Sequence, residues 1–308
     1  MLFQAHGPLW DLEGRPFQPE RPLRRIVSLV PSLTETLFDL GLGDRVVGRT
    51  DYCIYPTEAR SIPSVGGTKN PDLVRVIALQ PDVVFVNVEE NREADAQALA
   101  AQGIPVAVSF PRSVAEAIAL VRRLAELFGL SHPPVLEEIE ALEAARRQMI
   151  PERRPRVFCA IWKDPWMTFN AETYAHDVLT VCGGKNIFAH RRRRYPLAAD
   201  LNPEVPARPV ARDDRYPRLS EEEIRRAAPE LILLPSEPYP FRPEDTETIR
   251  AHFRDTPAGR AGRVRWIDGS LLFWHGTRLR HALRILPEVL QGPFPAADDP
   301  GMGDGEEP

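Results

Sequence analysis

The chain has 308 residues, of which 43% are hydrophobic and 27% charged, a composition that excludes an intrinsically disordered protein. The length allows two domains of ordinary size or one large domain. A formal net charge of −5 excludes a surface that is basic overall, so we expect no nucleic-acid partner. No stretch approaches the roughly 18 apolar residues of a membrane span, and none is predicted.

The N-terminal residues lack the pattern of a secretory signal, which needs a basic start followed by about 7–15 apolar residues. The sequence as it stands therefore predicts a cytoplasmic protein, and a start further upstream would instead allow a periplasmic or extracellular one. Cys53, Cys159 and Cys182 form no metal-binding spacing, and we expect Cys159 and Cys182 to be small buried residues.

Apolar runs alternate with amphipathic runs through the first half of the chain. The runs read as continuously apolar strands, which favours a mostly parallel sheet covered on both faces. After the first strand, Ser32 and Glu35 have the spacing of a capping box, which predicts that a helix begins there. Strands are predicted at 23–30, 45–50, 82–88 and 104–110, and helices at 70–80, 91–102 and 113–129.

A second α/β unit follows a long helical run at 131–151. A helix of about 17 residues is roughly 25 Å long, so it could connect two lobes, although it could also cover a sheet in the ordinary way. The sequence predicts strands at 156–162, 230–235 and 263–268, and helices at 173–182, 220–228, 244–254 and 277–290. The expected domains are an N-terminal hairpin or extension (1–22), a first lobe (23–130), a connecting helix (131–151), a second lobe (152–290) and a disordered tail (291–308).

The usual catalytic motifs are missing from the sequence. It contains no GxGxxG, P-loop, GxSxG or HExxH pattern, and its seven histidines are scattered. We therefore predict no enzyme, no catalytic residue and no metal site, while a site built from distant histidines and carboxylates stays open. The run Arg191–Arg194 could contact an anion or an acidic partner, or could be a solvated loop.

Polar and aromatic residues follow the predicted strands. In doubly wound sheets ligands bind beyond the carboxyl ends of the strands, and aromatic side chains suit a large planar ligand. Each aromatic residue could instead pack its own loop onto the sheet. The candidate ligand-binding residues are Ser32, Glu35, Tyr52, Asn87, Trp162, Trp166, Phe169, Trp274, His275 and Arg278.

Four stretches resemble a known family: DLEGRPF (11–17), RRIVSLVPSLTETLFDLGLGDRVVGRTDYCIYP (24–56), VIALQPDVVFV (76–86) and VLTVCGGKNIF (178–188). They are similar to the helical-backbone (class III) periplasmic binding proteins that carry vitamin B12, ferric siderophores or haem to ABC importers, with the cobalamin-binding branch closest. The resemblance implies two Rossmann-like α/β lobes with mostly parallel sheets. A single long backbone helix would join the lobes, and the ligand would bind in a cleft between them.

The resemblance also implies a function. The chain would be a monomeric, non-enzymatic binder of a corrinoid, haem or ferric chelate, without an intrinsic cofactor, serving an ABC-type permease or acting as a cytosolic counterpart. Trp162, Trp274 and Tyr52 would stack on the ligand, and Asn87, His275 and Arg278 would form hydrogen bonds. His275 could alternatively be an axial metal ligand.

Departures from the family pattern concern docking and ligand contacts. Glu222 occupies one of the family's two docking positions, but Val74 replaces the glutamate at the other. Tyr52 matches a ligand-contacting tyrosine, whereas Asn87 replaces an aromatic residue. Ser270 and Trp274 replace an aspartate and an arginine. The alternative hypothesis is therefore an intracellular enzyme or regulator on the same scaffold, possibly in corrinoid metabolism.

Overall fold

The computed structural model describes residues 7–202, 204–209 and 212–292. Within them the chain forms two compact units. Unit 1 comprises 7–148 and Phe273–Leu283, and unit 2 comprises Met149–Leu272 and 284–292. Except for Gln291 and Gly292, the tail expected to be disordered lies outside the described residues. None of the described helices has the length and apolar character needed to cross a membrane.

Unit 1 is built on a four-stranded parallel sheet in the order β2-β1-β3-β4. The continuously apolar run of β3 is buried along its whole length, as expected for a sheet covered on both faces. The strands are β1 (Ile26–Ser28), β2 (Val46–Arg49), β3 (Val83–Asn87) and β4 (Val106–Ser109), and the helices are α1 (Pro31–Asp39), α2 (Leu73–Ala78), α3 (Glu93–Ala100), α4 (Val114–Leu127) and α5 (Pro134–Gln148).

The N-terminal hairpin is attached to the edge of this sheet. Trp10 forms antiparallel bridges with Pro16 and with Val108 of β4, and its side chain is fully buried. The hairpin therefore completes the core of unit 1.

Unit 2 repeats the arrangement with a parallel sheet in the order β10-β9-β5-β7, together with an antiparallel pair, β6 and β8. Its strands are β5 (Arg156–Cys159), β6 (Trp166–Met167), β7 (Lys185–Asn186), β8 (Arg218–Leu219), β9 (Leu231–Pro235) and β10 (Val264–Ile267). Its helices are α6 (Tyr174–Val181), α7 (Leu197–Leu201), α8 (Glu221–Arg226), α9 (Asp245–His252) and α10 (Pro257–Arg260); α11 (Ser270–Phe273) and α12 (Leu279–Gln291) run across the boundary with unit 1. Two units with mostly parallel sheets confirm the predicted fold class.

Two expectations differ from the structure. The capping box is wrong, because α1 already begins at Pro31, with Val30 as an N-cap that makes no side-chain hydrogen bond. Proline suits the first helical position, so Ser32 and Glu35 lie inside the helix, where both are buried. The segment Phe273–Leu283, expected in the second lobe, packs with unit 1, as does α5.

Candidate functional site

The segment between α11 and α12 is held tightly against α1. Gly276 adopts a φ of +81°, and a Cβ atom at this position would lie 2.2 Å from Oγ1 of Thr36. The backbone N–H of Thr277 donates to the same oxygen over 3.1 Å. Glycine is thus required at position 276 for two reasons: the backbone is in the left-handed region, and α1 approaches too closely to leave room for a side chain.

His275, the residue before this glycine, is buried, and both of its ring nitrogens have partners. The Oδ1 atom of Asn87 accepts hydrogen bonds from the backbone N–H groups of Glu89 and Glu90, at 2.8 and 3.3 Å. The Nδ2 atom of Asn87 therefore faces Nε2 of His275, 3.1 Å away, and donates to it. The proton of the neutral ring then resides on Nδ1, which donates to Oγ of Ser32 over 3.3 Å.

This arrangement defines what the histidine can do. Burial lowers the pKa of His275 to about 4, so the ring is neutral at physiological pH. Its basic nitrogen is turned to Asn87, and its protonated nitrogen is turned to Ser32. In this state His275 neither offers a lone pair to a metal as an axial ligand nor activates Ser32 as a nucleophile. Among the described residues, no group of three or more histidines, cysteines and carboxylates is placed to hold a metal ion.

A second buried pair lies one turn further along both elements. Nε of Arg278 donates to Oε2 of Glu35 over 2.9 Å. Burial raises the pKa of Glu35 to about 7, although the positive charge of Arg278 acts in the opposite direction. The guanidinium carbon of Arg278 lies 4.1 Å from the ring centroid of Tyr55. The Tyr55 and Trp274 ring centroids lie 5.8 Å apart at an interplanar angle of 71°.

Tyrosines at the carboxyl edge of the sheet supply the exposed aromatic surface of unit 1. Tyr52 and Tyr55 follow β2, and their side chains are 61% and 36% exposed. Trp274, predicted to stack on a ligand, is buried behind Tyr55. The sheet edge thus presents tyrosine rings to solvent and keeps the polar groups beneath them.

Unit 2 presents an aromatic pair at the carboxyl edge of its own sheet. Trp162 follows β5 and is 42% exposed. Its backbone is fixed by hydrogen bonds that link Ile161 and Trp162 to Met167. The Trp162 ring meets Tyr239 at 5.4 Å with an interplanar angle of 76°. Tyr239 was not predicted, yet it follows the carboxyl end of β9, so the rule used for the other strands would have found it.

Two predicted ligand contacts of unit 2 lie in its core instead. Trp166 is buried against Phe158 and Phe253, and Phe169 is fully buried. The reason is the β6–β8 pair, which folds this segment onto the sheet. In this structure neither ring is available to a ligand.

Two of the four arginines in the run, Arg191 and Arg192, pair with neighbouring acids. Arg191 bridges Asp200 and Glu223 at 3.0 and 2.7 Å. Arg192 pairs with Glu172 and Asp214. These pairs fasten the insertion between β7 and β8, which carries the run, and both arginines are committed to carboxylates of the same unit.

The two positions predicted from the family resemblance to correspond to docking residues are both exposed. Glu222 lies on α8 and pairs with Arg226 of the same helix. Val74 lies on α2 and is 77% exposed. An exposed charge thus stands at one position and an exposed apolar side chain at the other.

Comparison with known proteins gives a family match along most of the chain. The model of the family described as "Periplasmic binding protein" matches residues 26–271. Vitamin B12-binding proteins of Yersinia pestis and Yersinia pseudotuberculosis are 28% identical to this chain over 181 residues. The match covers 58% of this chain and 65% of the length of those relatives.

Solved structures agree in fold. A periplasmic heme-binding protein from Roseiflexus sp. RS-1 has a TM-score of 0.69 and 22% identity over 88% of this chain and 100% of that one. The periplasmic vitamin B12 binding protein of Vibrio cholerae has a TM-score of 0.68 and 20% identity over 87% and 97%. At these identities the likeness shows the fold alone.

Proposed function

Because the chain belongs to the periplasmic binding protein family, we propose that it binds a flat metal chelate of the corrinoid, haem or ferric siderophore class. It would deliver this ligand to an ABC-type importer. The names of the relatives and structural neighbours, which include vitamin B12-binding and heme-binding proteins, support this class of ligand.

The exposed aromatic rings at the carboxyl edges of the sheets are the observation that carries the proposal. The exposed rings are Tyr52 and Tyr55 of unit 1 and Trp162 of unit 2, and the half-buried Tyr239 packs beside Trp162. All four follow strands at the edge where α/β proteins bind their ligands. Large aromatic side chains are costly to leave in water and stack readily on planar molecules. Such rings suit the periphery of a macrocycle or an aromatic chelator.

Recognition would rest on the organic part of the ligand. His275 is committed to Ser32 and Asn87, so the metal would arrive with axial ligands of its own or keep solvent there. The predicted contacts Ser32, Glu35, Asn87, His275 and Arg278 are all buried. We assign them the task of holding the loops that carry the rings.

Equilibrium dialysis and spectral titration test this proposal. The purified chain is titrated with cyanocobalamin, cobinamide, haemin and a ferric siderophore, and we expect at least one dissociation constant below about 10 μM, roughly −7 kcal/mol. Tyr52→Ala and Trp162→Ala should each weaken that binding. Trp266→Phe, a change at a half-exposed ring on β10, is the matched control. Failure of all four ligands to bind, or equal binding by every variant, would refute the proposal.

The importer role has its own test. It requires the chain to lie outside the cytoplasmic membrane, which cell fractionation measures directly. Glu222→Ala should reduce ligand uptake by cells without changing ligand affinity, because Glu222 is a surface residue of α8. Recovery of the chain in the cytoplasmic fraction would favour a cytosolic counterpart.

A further inference from the structure

The buried ion pair of unit 1 ends at one of the exposed rings. Glu35 accepts from Nε of Arg278, and the guanidinium of Arg278 lies 4.1 Å from the ring centroid of Tyr55. The Tyr55 ring is itself partly exposed to solvent. Arg278 therefore links the buried carboxylate of Glu35 to the ring of Tyr55, which belongs to the surface proposed to bind the ligand.

Arg278 is built to support the ring rather than to contact a ligand. Its side chain is 9% exposed, and its Nη2 atom is buried and has no hydrogen-bond acceptor among the described residues. The guanidinium is thus oriented by its ion pair at Nε and by the rings of Tyr55 and Trp274, whose centroids lie 4.1 and 5.4 Å from Cζ. Loss of the ion pair would leave the aromatic contacts as its main restraints.

We propose that Glu35 is a positioning residue for the ligand-binding surface: it anchors Arg278, and Arg278 holds the ring of Tyr55 in place. The effect on affinity rests on the proposed function, whereas the effect on the ring does not. A change in the charge of Glu35 would therefore move Tyr55 although Glu35 itself is buried.

The surroundings of Glu35 make this charge variable near neutral pH. Burial raises its pKa to about 7; Arg278 opposes this rise, Asp39 of the same helix adds to it, and Arg280 opposes it. Arg49 lies on β2, which packs against α1, and its guanidinium donates to the backbone carbonyls of Ile62 and Thr50. His275 is neutral in this range because burial lowers its pKa. The other titratable side chains on elements packed against α1 are Asp44, Arg45, Glu58 and Arg60.

The sign of the effect follows from this pKa. Above pH 7 Glu35 is ionised and forms a charge-assisted bond with Arg278, which is the stronger kind of hydrogen bond. Below pH 7 the protonated carboxyl holds Arg278 less firmly, and Tyr55 is held less firmly in turn. Ligand affinity should accordingly fall in acid by about two- to tenfold, the range expected for losing one cation–π contact.

The first measurement uses the ligand-free protein. Tyrosine ring signals are followed by NMR with ¹³C-labelled tyrosine, and Tyr55→Phe identifies the signal of Tyr55. We expect that signal to titrate with a midpoint near pH 7 in the wild type and to stay constant in Glu35→Gln. Glu58→Gln, at an exposed carboxylate on the neighbouring 3₁₀ helix Thr57–Ser61, should leave the titration unchanged. An unchanged titration in Glu35→Gln would overturn the proposal.

The second measurement concerns affinity. The dissociation constants of haemin and cyanocobalamin are compared well below and well above pH 7 in the wild type and in Glu35→Gln, so that titration of the ligand itself cancels. The acid-dependent weakening should be present in the wild type and absent in the variant. Equal ratios in both proteins would refute the coupling to affinity. If no protein binds either ligand, the proposed function fails, while the NMR result still decides the role of Glu35.

Discussion

Asn87 donates its side-chain amide to Nε2 of His275 across 3.1 Å, and this contact determines which ring nitrogen carries the proton. The amide cannot be turned around, because its oxygen already accepts from the backbone N–H groups of Glu89 and Glu90. A triad of serine, histidine and asparagine is therefore present without the tautomer that general-base catalysis needs. In this arrangement His275 is not placed to remove a proton from Ser32.

Asn87→Asp should reverse the tautomer. The new carboxylate accepts from Nε2–H, so Nδ1 loses its proton, and the negative charge should raise the pKa of His275 from about 4 by about 1 to 3. NMR of the ring nitrogens of ¹⁵N-labelled histidine measures both changes. His176 of unit 2, whose Nδ1 lies 3.3 Å from Asn186, serves as the internal reference. A ring that keeps its proton on Nδ1 in the variant would contradict the assigned hydrogen bonds.

Gly276→Ala should destabilise the protein more than alanine at another left-handed glycine. The added Cβ meets Thr36 as well as an unfavourable φ, and we expect a loss of roughly 2–4 kcal/mol in the free energy of unfolding. Gly103→Ala is the matched control, because its φ is +75° and nothing lies within 4 Å of the added atom. That control should lose about 1–2 kcal/mol.

Denaturant unfolding at constant m-value compares the two glycine variants. Equal losses for both would show that backbone conformation alone, and not the close approach to α1, makes glycine necessary at residue 276.

Asp200→Asn should loosen the insertion of unit 2. The carboxylate of Asp200 is buried and accepts from Nη1 of Arg191 and from the backbone N–H groups of Arg194 and Arg218. An amide has one acceptor oxygen and no charge, so the donors at the other oxygen lose their acceptor, while Arg191 keeps Glu223. The expected cost is about 1–3 kcal/mol. Limited proteolysis and hydrogen exchange over 190–219 should both accelerate. Asp214→Asn, at a partly exposed partner of Arg192, should cost less than about 1 kcal/mol.

Stability should depend on pH through Glu35. Its pKa is about 7 in the folded protein and near 4.5 in the unfolded chain, so the folded state binds the proton more tightly. The stability linked to Glu35 is therefore fully present below about pH 4.5 and is lost as pH rises through about 7, by up to about 3 kcal/mol.

The free energy of unfolding measured across this range should fall more steeply with pH in the wild type than in Glu35→Gln. The comparison concerns the slopes, because the variant also removes the charge that faces Arg278. Parallel slopes would show that Glu35 ionises normally in the folded protein.

Most of the fold could be predicted because its signals are local. The apolar run of β3 and the amphipathic run at 113–129 lie within the elements that they define, and β3 and α4 are both found where the sequence places them. The start of α1 could not be predicted from Ser32 and Glu35, because the side chains that they contact, His275 and Arg278, are more than 240 residues away.

Candidate site residues were predictable by position and not by exposure. Phe169 follows a strand as Trp162 does, and whether a ring is buried depends on which later segment packs over it. For Phe169 and Trp166 that segment includes β8, about fifty residues further on. Tyr239 could have been predicted from its position after β9, but its ring contact with Trp162 is evident only from the folded structure.

The segment Phe273–Leu283 has a consequence for how the protein is made. Arg280 pairs with Asp39, and the carbonyl of Leu283 accepts from Arg146, so residues near the end of the chain complete a unit that begins at its start. Domains emerging from the ribosome usually fold in the order of their synthesis. Unit 1 cannot complete its folding before unit 2 is synthesised, because Phe273–Leu283 leaves the ribosome only after nearly all of unit 2. A fragment that stops at Gln148 would lack this segment.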